Sequence, residues 1–291
     1  MRWINAARPF SLTASLVPVV LGGAMAAAVG SFHLLNFLIV LVGGVGLQVG
    51  TNLTNDAWDV TYGIDRPGRT RPNHAILDTG IPVAAERRAG ILVFAFTLAL
   101  GIWLAVLVGW VILIPVVLGV IFGHGYTAPP LKYKFRGWSL PAVFMMMGPL
   151  MVWAAAYGTG GSVPPVFWWV SVPVGLLVVS ILHANDMRDM NGDAEGGVRT
   201  FAGAVGSGAA LWTLWLLLFV PYLIIVAGVL TGRLPAGFLA VLLTLPLALG
   251  DYRQAKSRVL DMIDARTAQL HLAFGVLLTV GVLLQGVTPT L

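Results

Sequence analysis

The sequence contains no cysteine, so it can build no disulfide, thiolate nucleophile or thiolate metal site, and nothing about a redox compartment follows from it. Charge is nearly as scarce. Only 17 Lys and Arg and 12 Asp and Glu occur among 291 residues, fewer than a soluble globule of this length carries. The five histidines are scattered and none pairs at a spacing that favours zinc. Despite a pI near 9.9, the basic residues are separated by apolar runs. That excludes a nucleic-acid surface and leaves a lipid headgroup layer or an anionic ligand as the partner. What the chain has in abundance is hydrocarbon. Hydrophobic residues make up 58% of it and the mean hydropathy is +0.88, the values of an integral membrane protein.

Apolar runs of spanning length fall near 10–29, 34–58, 89–108, 110–127, 139–158, 166–186, 208–231, 235–250 and 268–287, predicting an all-α protein of nine transmembrane helices. The weakest division lies at Gly109. Arg2, Arg8 and the "AMA" stretch imitate a secretory leader, but Pro9 and Pro18 interrupt the run, which reads as a retained first span. Threading nine spans puts the amino terminus and the loops 59–88, 128–138, 187–207 and 251–267 on one side. That side collects every basic residue except Arg233, together with all 12 acids. The positive-inside rule makes it cytoplasmic, and any active site is expected to open there.

The chain also resembles itself. Asn55, Asp56, Asp59, Arg69 and Thr70 recur 130 positions later as Asn185, Asp186, Asp189, Arg199 and Thr200, with Asp65 opposite Glu195. The offset covers four spans. One domain, 1–291, is therefore expected to hold two parallel four-helix repeats, about 8–130 and 138–260, plus a ninth helix at about 268–287.

On a helix, Asn52, Asp56 and Asp59 share one face at i, i+4 and i+7, and so do Asp186, Asp189 and Asp193 at i, i+3 and i+7. Asn191 and Gly192 are expected to end the second helix before Asp193. With the repeats face to face, six carboxylates, Asp65 included, would converge at one end of the bundle. Carboxylates beside hydrocarbon are costly and imply function. Ligands that are all oxygen point to Mg²⁺, which keeps several waters and is held by one or two carboxylates plus substrate phosphates. With two Mg²⁺ and a diphosphate the cluster stays net negative, which Arg66, Arg69, Arg71, Lys132, Lys134, Arg136 or Arg199 would offset.

The residues "NDAWDVTYGID" and "NDMRDMNGD", with "YTAPPLKYKFRG" between them and "ARP" near the start, resemble the UbiA superfamily of intramembrane aromatic prenyltransferases over nearly the whole chain. The six-residue step from Asp59 to Asp65, through Gly63, is similar to the 1,4-dihydroxy-2-naphthoate branch of menaquinone synthesis. The 4-hydroxybenzoate branch more usually steps by four. The YxxxK loop motif of some members is absent, since Pro130 stands four positions after Tyr126 and the nearest lysine is Lys132. The resemblance implies a UbiA-like bundle in a bacterial or archaeal cell membrane that takes a polyprenyl diphosphate and an aromatic acceptor. It implies Asp56, Asp59, Asp65, Asp186, Asp189 and Asp193 as ligands of two Mg²⁺, with Lys132 beside Asp56, Asp59, Asp186 and Asp189 in the chemistry. Asn52, Asn55, Asp65, Arg66, Arg69, Tyr126, Lys134, Arg136, Asn185 and Arg199 are the implied substrate contacts.

Blander readings stand beside these. Intramembrane carboxylates also serve proton relays and secondary transporters, although a transporter needs access from both faces and the outer half offers Arg233 alone. A quinone-binding subunit would not need six acids. Lys132, Lys134 and Arg136 can act as a positive-inside anchor, and Arg8 before Pro9 as a helix-start and headgroup contact. His183 is expected to pack rather than ligate, and Trp138, Trp168 and Trp169 to sit in an interfacial belt.

Overall fold

The computed structural model describes residues 2–65, 76 and 80–285, and among them it is helical with no strand. After a short helical segment Arg2–Ala6 and a 3-10 turn Pro9–Leu12 come α1 (Thr13–Ala28), α2 (Leu34–Thr61), α3 (Val83–Val108) and α4 (Trp110–Gly125). The chain continues through α5 (Ser139–Gly160), α6 (Phe167–Glu195), α7 (Phe201–Leu230), α8 (Ala236–Lys256) and α9 (Ile263–Gln285). A helix occupies each expected run. Seven are long and apolar enough to cross a bilayer, while α1 and α4 are shorter apolar helices. Gly109, at φ 108°, breaks α3 from α4 where the hydropathy only hinted at a division.

Two boundaries depart from expectation in ways that bear on the site. α2 ends in a Schellman motif: Ile64 N–H donates to the Asp59 carbonyl, Gly63 N–H to that of Val60, and Gly63 takes φ 69°. Asp65 N–H also reaches the Asp59 carbonyl, at 3.2 Å, so the six-residue step is a chain reversal that brings Asp65 back over Asp59. The same motif closes α6 one turn later, with Val198 N–H donating to Asp193 and Gly197 at φ 71°. Asn191 and Gly192 therefore do not end α6, and Asp186, Asp189 and Asp193 lie on one continuous helix.

α2 packs along α3 as α6 packs along α7, α1 lies against α5, and α9 fits between α1 and α6. Leu21, Leu177, Leu214, Leu218, Phe238 and Phe274 are fully enclosed in a core shared by α1 and α5–α9. Between helices in lipid, such packing holds by close contact rather than by escape from water. Leu92, Val106, Leu243 and Leu230 face outward at 69, 70, 75 and 82% exposure, as a lipid-facing shell requires. α5 carries a π-helical bulge at Met146–Leu150, around Pro149. There Gly148 meets Gly175 of α6 so closely that a Cβ on it would lie 2.6 Å from the Gly175 Cα.

Candidate active site

A cavity of about 300 Å³ lies among α1–α6 and the start of α9. One end is polar, lined by Arg8, Asn52, Asn55, Asp59, Asp65, Lys134, Asn185, Arg188, Asp189 and Asp264. The rest is apolar, formed by residues such as Val40, Leu104, Ile112, Met147, Leu150 and Ala154. On α2 the lining runs from Ile39 to Asp59, a rise of about 30 Å at 1.5 Å per residue. The polar end, with Asn52, Asn55 and Asp59, thus opens onto an apolar stretch lined from Ile39 to Leu47, and the two together reach nearly membrane depth.

Each acidic helix meets a cation. Arg8, from the turn before α1, pairs with Asp56 on α2, and Lys134 Nζ stands 2.6 Å from Asp59 Oδ2 and 3.2 Å from Asn55 Oδ1. Asn52 donates to the Ala7 carbonyl at 2.9 Å and to Ser11 Oγ at 3.0 Å, tying the Arg8 turn to α2. On the other side, Arg188 donates to both oxygens of Asp189 at 3.0 Å and to Asn185 Oδ1 at 2.7 Å, and its Nη1 is 2.6 Å from Asp264 Oδ2. Burial alone works against charge on Arg8, but Asp56, Asp59 and Asp65 outweigh it and hold the guanidinium above its ordinary range.

Lys132 and Lys134 part company because Lys132 takes left-handed dihedrals, φ 45° and ψ 42°, at the start of the turn Tyr133–Arg136. Lys134 N–H donates to the Tyr126 carbonyl at 3.0 Å and its side chain points inward, while Lys132 Nζ lies 4.1 Å over the Tyr62 ring, off the cavity wall. Lys132 is therefore not where a catalytic lysine was expected. Tyr126 does line the cavity, edge-on to Tyr133, and burial pushes the Tyr133 phenol up so that it stays neutral. Arg136 and Arg199 are exposed and contribute nothing to the wall. Arg66, Arg69 and Arg71 lie outside the described residues.

The convergence of six carboxylates is corrected in detail. Asp59, Asp65 and Asp189 reach the wall, whereas Asp56, Asp186 and Asp193 are buried off it. Among the described residues no three acid or histidine side chains lie together as one metal cage. Asp56 Oδ2 and Asp59 Oδ1 are nevertheless buried and accept no hydrogen bond. Hard carboxylate oxygens with open lone pairs suit Mg²⁺, provided water and a phosphate complete its shell.

Sequence reasoning missed three groups. From sequence Arg8 reads as a headgroup contact and Arg188 as a cytoplasmic charge, and Asp264 stands in no motif. Arg188 carried a usable signal, since it lies inside the second motif three residues after Asn185. Asp264 carried none. His183 packs as expected, with Nε2 2.8 Å from the Ala210 carbonyl, and Trp138 and Trp168 are exposed.

The sequence profile of the UbiA prenyltransferase family matches residues 15–275. The chain belongs to this family. It is 28% identical to the 1,4-dihydroxy-2-naphthoate octaprenyltransferase of Bacillus subtilis, over 96% of this chain and 91% of that one. It is 32% identical to the UbiA prenyltransferase domain-containing protein 1 of Xenopus tropicalis, over 97% and 81% of the two chains. Its fold matches a UbiA homolog from Archaeoglobus fulgidus, a structure bound to DMAPP and Mg²⁺, with a TM-score of 0.67 at 17% identity, covering 96% and 100%. A UbiA fold with seven long apolar helices makes this an integral membrane protein.

Proposed function

We propose that this UbiA family member transfers a polyprenyl group from an allylic diphosphate to 1,4-dihydroxy-2-naphthoate, with loss of carbon dioxide, at the cytoplasmic face of a cell membrane. The observation that carries the reading is the joining of a cation-and-carboxylate end to an apolar stretch within one cavity that follows α2 for about 30 Å. That shape fits a molecule with a multiply charged head and a long hydrocarbon tail. The bound DMAPP and GPP of the archaeal homologs support the donor class. The Bacillus relative and the long Asp59–Asp65 step support the naphthoate acceptor. The matched packing of α2 on α3 and of α6 on α7 supports two parallel four-helix repeats with α9 between them.

In this reading Asp56, Asp59 and Asp65 on one side and Asp186, Asp189 and Asp193 on the other would hold two Mg²⁺, with Asp59, Asp65 and Asp189 already at the wall and Asp56, Asp186 and Asp193 turning toward the ions from behind it. When bound, Mg²⁺ supplies Lewis-acid charge to the departing diphosphate. Lys134 and Arg8 sit where a diphosphate's excess charge would fall, and Lys134 rather than Lys132 supplies the ammonium there. Phe122, Tyr126 and Tyr133 line the cavity near the polar end, and aromatic rings are the groups that stabilise an allylic cation. The allylic C–O bond breaks to release diphosphate, and a C–C bond forms at the ring carbon bearing the carboxylate. That carbon regains aromaticity when the carboxylate leaves as carbon dioxide and its bonding electrons return to the ring.

The test is incubation of purified protein with Mg²⁺, a polyprenyl diphosphate and a panel of ring acceptors, with products identified by mass. Prenylated naphthoquinol and about one carbon dioxide per product are expected. Prenylation of 4-hydroxybenzoate with its carboxylate retained, and none of dihydroxynaphthoate, would reject the acceptor while keeping the diphosphate site.

A further inference from the structure

The two halves place a cation in the same local setting by different means. Lys134 spans Asn55 Oδ1 and Asp59 Oδ2, an asparagine and the aspartate four residues later. Arg188 spans Asn185 Oδ1 and both oxygens of Asp189, again four residues apart. Yet Lys134 comes from the loop after α4, while Arg188 lies on the acidic helix itself, where the first repeat has Trp58. Arg188 also has a second acid. Its Nη1 is 2.6 Å from Asp264 Oδ2 in the first turn of α9, which lies outside both repeats. Both side chains stand on the cavity wall and are nearly enclosed, at 12% and 9% exposure.

Two carboxylates on one enclosed guanidinium are more than neutralisation requires, and desolvating the extra acid costs free energy. The surplus becomes useful if one acid is to be claimed by something else. Asp189 occupies the repeated position matched to Asp59 and is a proposed metal ligand; Asp264 has no counterpart in the repeat. Once a cation draws on Asp189, a guanidinium tied to Asp189 alone would be repelled from the wall. One tied also to Asp264 stays, and the Nε hydrogen and the Nη2 hydrogen that had met Asp189 can turn to a new acceptor while Nη2 keeps its bond to Asn185.

We infer that Arg188 is a ligand for a substrate oxyanion and that Asp264 is the positioning residue that keeps it on the cavity wall when Asp189 is taken. The oxyanion is a diphosphate or an acceptor carboxylate, since both suit the planar fork of an arginine. This rests on the prenyl-transfer reading, and the two sources are separable by experiment.

The full chain in detergent would be titrated separately with inorganic pyrophosphate in the presence of Mg²⁺ and with 1,4-dihydroxy-2-naphthoate, following tryptophan fluorescence. Wild type, Arg188→Gln, Arg188→Lys and Asp264→Asn are compared, with thermal unfolding and steady-state KM for both substrates alongside. Arg188→Gln is expected to weaken one ligand at least about tenfold, the loss of a charge-assisted hydrogen bond, and to leave the other within about twofold. The ligand that weakens identifies the source. Arg188→Lys restores part of that affinity, and Asp264→Asn weakens the same ligand by a smaller factor while raising that substrate's KM more than it lowers kcat. Unchanged affinity for both ligands in Arg188→Gln and Asp264→Asn, with only a lower unfolding temperature, would overturn the inference and reduce the pair to a clasp between α6 and α9. If Arg188→Gln does not fold, Arg188→Lys and Asp264→Asn decide by the same criterion. A wild-type protein that binds neither ligand rejects the prenyl-transfer reading itself and this inference with it, an outcome seen before any variant is made.

Discussion

Replacing Lys134 by methionine, which keeps the length of the stem and removes the ammonium, probes the best-defined ion pair of the site. Lys134 Nζ lies 2.6 Å from Asp59 Oδ2, and both side chains are buried. At that separation the pair attracts by about 6 kcal/mol at an effective dielectric constant of about 20. Desolvation of two ions offsets part of this, so breaking the pair by removing one partner costs about 3–5 kcal/mol. The upper part of that range applies, because Asp59 Oδ1 already accepts no hydrogen bond and the carboxylate would be left with none from any described residue. The assay is equilibrium unfolding in mixed micelles of Lys134→Met, Asp59→Asn and the double variant. Asp59→Asn removes the stranded charge, so the double variant should be more stable than Lys134→Met alone, with a coupling energy of about 3 kcal/mol between the sites. Strictly additive effects, or a Lys134→Met protein as stable as wild type, would refute the buried pair and with it the assignment of Lys134 to the site.

Asp56→Asn or Asp186→Asn is expected to abolish prenyl transfer while the protein still inserts and folds, since each removes a proposed metal ligand and lowers local repulsion. Product formation in either variant, measured by mass, would remove the two-segment site. Turnover should require Mg²⁺ or Mn²⁺ and fail with Ca²⁺, which prefers more ligands at longer distances; full activity in excess chelator contradicts this. Ala154→Phe, at the apolar part of the cavity wall, should raise the KM of long polyprenyl diphosphates while sparing short ones. Equal effects on all chain lengths would show that the tail lies elsewhere.

Much of this architecture is legible in the sequence. Hydropathy reports burial in lipid one segment at a time, so the helical runs emerged directly, and the periodicity of a helix placed Asn52, Asp56 and Asp59 on one face. The scarcity of charge made each acid conspicuous. The 130-residue offset identified the second motif because both copies keep the same local spacing.

The tertiary structure decided which cation meets which acid. Lys132 and Lys134 are two residues apart in one loop, and the left-handed turn at Lys132 sends only Lys134 inward. No pattern of residue types states that. Arg8 reaches Asp56 because Asn52 holds the preceding turn against α2, and Asp264 reaches Arg188 because α9 packs on α6; both are contacts between segments distant in the chain. The repeat also suggested two equivalent halves sharing a central cavity. Instead α7 and α8 pack into a solid core with α1, α5, α6 and α9, while the cavity opens among α1–α6. Local sequence signals specify what each helix can bury. Which faces close on each other and which leave a space depends on side-chain volumes summed across helices, a quantity that exists only once the bundle is assembled.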